Sequence, residues 1–169
     1  GDGNKTVFVK YFDKAGNASA VYSKSVMVDA NAPVGSLTIN QGNSYTDQSA
    51  VMLNLSAQDA GTGVTQMRFS NDGVNWSVAE VFSTVKSWVL AAGEGLKTVF
   101  VKFMDAVGNW SQVISSQIFM DTAAPVGSVS INSGAVYTKS QSVTLSFDAS
   151  DSGSGVEKMS FSADWMNWS

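Results

Sequence analysis

Residue n of this chain matches residue n+92 along the whole overlap, 1–77 against 93–169, without insertion or deletion. Of these 77 pairs, 39 are identical, among them Gly1/Gly93, Asp13/Asp105, Asp29/Asp121, Pro33/Pro125, Asp59/Asp151 and Trp76/Trp168. Gap-free self-similarity at one fixed spacing means tandem units. A unit of about ninety residues suits a seven-stranded sandwich and is too long for a small solenoid repeat.

The register sets the domain limits. The joints are DANAPVGS at 29–36 and DTAAPVGS at 121–128. A proline there cannot donate to a ladder and stiffens the approach to the next strand. One complete unit is expected over 34–120. Residues 1–33 read as the last two strands of a preceding unit. Residues 121–169 read as a joint followed by the first three strands of the next.

Inside 34–120 the expected strands are 35–40, 50–58, 64–70, 84–90, 97–104 and 110–120. In 50–58, Val51, Leu53, Leu55 and Ala57 face one way and Met52, Asn54 and Ser56 the other. The second copy keeps this alternation at Val143, Leu145, Phe147 and Ala149. Period two on one face marks a half-buried strand. Asn71-Asp72-Gly73 reads as a hairpin turn, since glycine tolerates positive φ. The expected fold is all-β: tandem seven-stranded antiparallel β-sandwiches.

Composition excludes several functions. The chain has no Cys and no His, which removes disulfides, thiol chemistry and the usual zinc sites. Its net charge is −4 and Arg68 is its one arginine, a poor balance for nucleic-acid binding. No apolar run approaches the roughly 20 residues of a membrane helix. Nucleophile–His pairs are impossible, and Glu80, Glu94 and Glu157 do not recur in register as a glycosidase pair would have to. Lys97 and Lys102 read as strand-surface residues. The chain is therefore expected not to be an enzyme.

SAQDAGTGV (56–64), FSNDGVNWS (69–77), DAVGN (105–109) and the DxxAP joint together resemble bacterial immunoglobulin-like repeats of extracellular and cell-surface proteins. DASDSGSGV (148–156) and DKAGN (13–17) repeat the elements. The resemblance implies immunoglobulin-like, fibronectin III-like sandwiches, a secreted or surface location and a role as stalk, spacer, fibre subunit or adhesion array. It also leaves open an alternative, an adhesion or glycan-binding accessory module of a secreted protein. The last copy departs from the pattern. ADWMNWS (163–169) puts Trp165 where Gly73 stands, which is expected to alter that turn and to place an aromatic at its tip.

In a sandwich of this type, the loop after the second strand, the loop between the last two strands and the approach to the first strand share one pole. Asp59, then Asp105 with Asn109, then Asp29 occupy these places. Three carboxylates drawn together repel unless a cation joins them. Calcium takes six to eight oxygens of this kind. The arrangement is similar to the calcium-stiffened joints of cadherins, and the next joint would use Asp121 and Asp151. Asp13 is the preceding copy of Asp105. The alternative is structural: aspartate before glycine caps turn amides, and Asp13 and Asp105 would then only hold DxxGN turns.

Trp76 and Trp168 stand in register and are expected in or over the core, and Trp88 inward with Leu90. Trp110 and Trp165 have no aromatic counterpart (Ala18, Gly73) and are the candidates for surface contact, with another module or with a glycan. Asn-x-Ser/Thr triplets occur at Asn4, Asn17, Asn54, Asn75, Asn109 and Asn167. Of these, Asn54 suits a glycan, whereas a glycan on Asn109 would conflict with a metal-binding role. The two part-units, taken alone, leave apolar faces and sheet edges open. They are expected to be completed by neighbouring repeats of a longer array, or head to tail by copies of the same protein.

Overall fold

The computed structural model describes residues 1–169. Its twelve strands, separated only by loops and two short 3₁₀ turns, run β1 (Gly3–Val9), β2 (Tyr22–Val28), β3 (Val34–Ile39), β4 (Tyr45–Thr46), β5 (Ala50–Gln58), β6 (Val64–Ser70), β7 (Glu80–Val81), β8 (Val85–Val89), β9 (Gly95–Asp105), β10 (Ile114–Met120), β11 (Val126–Ile131) and β12 (Leu145–Ser150). No helix is long and apolar enough to cross a membrane.

Strands β3 to β10 build one sandwich. A three-stranded sheet in the order β3-β5-β8 faces a five-stranded sheet in the order β4-β10-β9-β6-β7. All pairings are antiparallel except the two-residue parallel pair of β4 with β10. This is the immunoglobulin-like and fibronectin III-like arrangement. The first strand is split between the two sheets. Asn40, Gln41 and Gly42 take φ of 45°, 61° and 93°, which swings the chain from β3 across to β4. The Asn40 side chain holds this crossing by accepting the Met52 amide at 2.8 Å. Asn132 does the same for Thr144 in the next copy.

The core follows from the alternation. Leu37, Ile39, Val51, Leu53 and Leu55 come from the three-stranded sheet. Met67, Phe69, Val99, Val101, Phe103, Ile118 and Met120 come from the five-stranded one. Gly35 is needed because β3 lies hard against Phe103: a methyl there would overlap the Ser56 carbonyl and the Phe103 ring. Phe82 meets Phe103 edge-on at 5.7 Å. Lys86 of β8 bonds Glu80 of β7 at 2.6 Å, tying the two sheets at one rim.

Outside this sandwich, β1 pairs with β2 and β11 pairs with β12. Ile131, Leu145, Phe147 and Phe161 line an open apolar cleft. They are the counterparts, 92 residues on, of the buried Ile39, Leu53, Leu55 and Phe69.

Candidate functional site

The pole expected from the sequence exists. One carboxylate oxygen each from Asp29, Asp59 and Asp105 lies within 4.8 Å of the others. Asp29 belongs to the joint before β3, Asp59 to the loop after β5, and Asp105 to the end of β9. A bulge in β6 between Val64 and Gln66 turns Thr65 so that its hydroxyl donates to the Asp105 carbonyl at 2.8 Å.

Each carboxylate is held by donors. Asp59 Oδ2 accepts the amides of Gly61, Thr62 and Gly63 at 3.0, 2.9 and 2.9 Å. Asp29 Oδ2 accepts both the amide and the hydroxyl of Thr62, each at 2.7 Å. Asp105, only 1% exposed, receives on Oδ1 the amides of Val107, Gly108 and Asn109. Burial pushes the Asp105 carboxyl up, but donation from the Asn109 amide and side chain and from Gly108 and Val107 outweighs it. The net result is a pKa below the ordinary aspartate range. Asp59 Oδ1 is different: it is buried and has no donor. An unpartnered buried carboxylate oxygen is costly unless a cation or water meets it.

Asn109 is tied into the pole through its side-chain nitrogen. Its side-chain nitrogen donates to Asp105 Oδ2 at 2.7 Å and shares itself between the Asp29 and Asn31 carbonyls at 3.2 Å each. It is a latch between the β9–β10 loop and the joint, made by its nitrogen alone. Asp13 holds the equivalent turn in β1–β2 by accepting from Ala15 and Asn17, and it joins no such cluster. Asp121 and Asp151 repeat the joint geometry. Asp121 accepts the Ser154 amide at 2.6 Å, and Asp151 accepts those of Gly153 and Gly155.

Two features of the joints carry no signal of their own in the sequence. Gly61 and Gly153 sit beneath Asp29 and Asp121, where a methyl would overlap the carboxylate. The upstream unit also grips the joint. Asp2 accepts from Asn31, and its counterpart Glu94 accepts from the Thr122 amide and hydroxyl. The sequence shows of this only an acid recurring 92 residues apart, at 2 and 94. Each joint is thus bonded to the unit behind it and to the unit ahead.

A second device recurs four times. Phe69 and Ser77, Phe103 and Ser111, Tyr11 and Ser19, and Phe161 and Ser169 close eight-residue loops. In each, the serine hydroxyl accepts the aromatic residue's amide while the serine amide returns to its carbonyl. In each, an asparagine two residues before the serine donates to a loop aspartate. Asn17, Asn75, Asn109 and Asn167 are therefore engaged as loop clasps. The turn after β6 is a wide loop clasped by Asp72, not a two-residue hairpin. Trp165 does not alter its copy of that loop. It adopts φ 65° where Gly73 has 74°, and Asp164 makes the same bonds as Asp72.

Of the two surface tryptophans, Trp165 is 87% exposed at a loop tip, and Trp168 meets it edge-on. Trp110 is half-buried: it lies on the outer face of the five-stranded sheet, stacked on Arg68. Trp76 also packs on Arg68, with its ring centre 5.2 Å from the guanidinium carbon. Trp88 packs on Phe69 at the core, as expected, and donates to Asn71.

No protein-family model matches the chain, and no curated protein matches it. Two solved structures are similar in part. The PKD1 domain of Vibrio anguillarum Epp gives a TM-score of 0.40 at 18% identity, over 55% of this chain and 100% of that one. The fibronectin(III)-like modules of Clostridium thermocellum CbhA give 0.45 at 18% identity, over 70% of this chain and 63% of that one. The sandwich assignment rests on the strand order described above.

Proposed function

We propose that the chain is a segment of an extracellular array of end-to-end sandwiches, serving without catalysis as a stalk, spacer or fibre. The observation that carries this reading is the doubly bonded joint. At 29–31 and again at 121–123, the connecting segment is held both by the unit behind and by the loop of the unit ahead. A connector anchored on both sides transmits orientation, whereas a free linker does not. The open apolar cleft of the last part-unit and the exposed apolar residues of β1 and β2 fit neighbouring repeats, of the same chain or of another copy, that cover them head to tail.

The Asp29–Asp59–Asp105 pole is the place for a hard cation, and calcium suits an all-oxygen donor set of this charge. One carboxylate oxygen each from Asp29, Asp59 and Asp105 would form the protein's share of the ligands. When bound, the ion would neutralise the carboxylate repulsion and fasten the joint to two loops at once.

Small-angle scattering of a chain in which residues 34–125 are written twice tests both parts. In calcium, the particle should be an extended pair of sandwiches with one well-defined maximum dimension. Chelator should broaden the distance distribution. A broad ensemble in both conditions would contradict the stiff array. An identical narrow profile in both would retire the ion.

A further inference from the structure

We infer that the outer face of the five-stranded sheet carries an oxyanion subsite, built on Arg68, that takes the carboxylate of an acidic sugar. The Arg68 guanidinium carbon lies 4.4 Å from the centre of the Trp110 ring and 5.2 Å from that of Trp76. Lys102 places its ammonium 5.1 Å from Trp76. The chain forms two ion pairs, Lys86–Glu80 and Lys158–Glu157, and neither Arg68 nor Lys102 takes part in them. The Arg68 Nε–H is buried without an acceptor. In a chain of net charge −4, this is a fixed pair of cations with no carboxylate of its own.

The stack is not a requirement of the fold. Lys102 and Trp76 recur as Lys10 and Trp168, but Arg68 becomes Ser160 in the next copy and Trp110 corresponds to Ala18 in the preceding one. The full constellation belongs to the 34–120 sandwich alone. A guanidinium packed against two indoles has already lost much of its rotamer freedom, so it can bind a carboxylate fork-to-fork at little further entropic cost. The half-buried indole edges beside it offer apolar surface to the C–H face of a sugar ring. An acidic peptide fits less well. A sheet face offers it no main-chain partner, and the edge strands of this sheet, β4 and β7, have two residues each.

The test uses the 169-residue chain in chelator, with tryptophan fluorescence and calorimetry as readouts and three probes: hexagalacturonate, neutral maltohexaose and hexaglutamate. Hexagalacturonate should bind saturably and quench indole emission, and its affinity should fall as salt rises. Arg68→Gln should weaken it about tenfold or more, the scale of one charge-assisted hydrogen bond. Arg68→Lys should recover only part of the affinity, because the fork is lost. Maltohexaose should not bind. Unchanged binding by Arg68→Gln, equal affinity for hexaglutamate, or no saturable binding would each overturn the proposal. If Arg68→Gln fails to fold, Lys102→Gln decides: a several-fold loss supports the subsite and an unchanged affinity contradicts it.

Discussion

Replacing Asp105 by alanine is expected to cost about 3 kcal/mol of folding stability, because it strips the acceptor from buried donors on which a whole loop is wound. Three loop amides and the Asn109 side chain point at this one carboxylate. With the carboxylate gone, Asn109 loses its clasp, and its bonds to the Asp29 and Asn31 carbonyls loosen with it. The damage should therefore reach the joint as well as the loop. Urea unfolding measures the cost, and a change below about 1 kcal/mol would contradict the clasp.

The same substitution should change the response to acid. The folded pKa of Asp105 is depressed. Its contribution is then fully present above the unfolded value of about 3.9 and is lost as pH falls through the folded one. The parent chain should lose stability below roughly pH 4, and Asp105→Ala should lose less of it over that window.

Replacing Phe103 by alanine should cost about 3–5 kcal/mol, the usual range for emptying a large aromatic site in a core. Phe103 is fully buried, meets Phe82 edge-on, and fills the space that Gly35 leaves open. Its ring lies against the β3 backbone at Gly35. The cavity would lie between two sheets that share no hydrogen bond at that point, so neither can close over it without sliding on the other. Denaturant unfolding would show a lower midpoint with an unchanged slope. A loss under about 1.5 kcal/mol would mean that the sheets are held by something other than this contact.

How much of this was readable in advance depended on the length scale of each signal. Strand β5 runs over 50–58 and β6 over 64–70, as expected, since seven to nine alternating residues give a clear period. Strands β4 and β7 were missed because two residues carry no period. The gathering of Asp29, Asp59 and Asp105 followed from the topology. The direction in which Asn109 points did not, because an amide can present either its oxygen or its nitrogen. The loop-closing serines lie eight residues from their partners, a spacing hidden by attention to the 92-residue period. Trp165 was expected to disturb its turn. Asp164 instead holds four donors in place and imposes the left-handed backbone on a residue that ordinarily avoids it. Arg68 gave no sign in the linear sequence, since its two indole neighbours come from separate loops.

The account stands on each unit of 92 residues closing upon itself as one sandwich. Residues 34–120, expressed alone and followed by amide hydrogen exchange, address this directly. Protection across β3, β5 and β8 should be lost together with protection across β6, β9 and β10, in one cooperative step. A chain that is unfolded without residues 1–33 or 121–169, or two sheets that exchange independently, would contradict it.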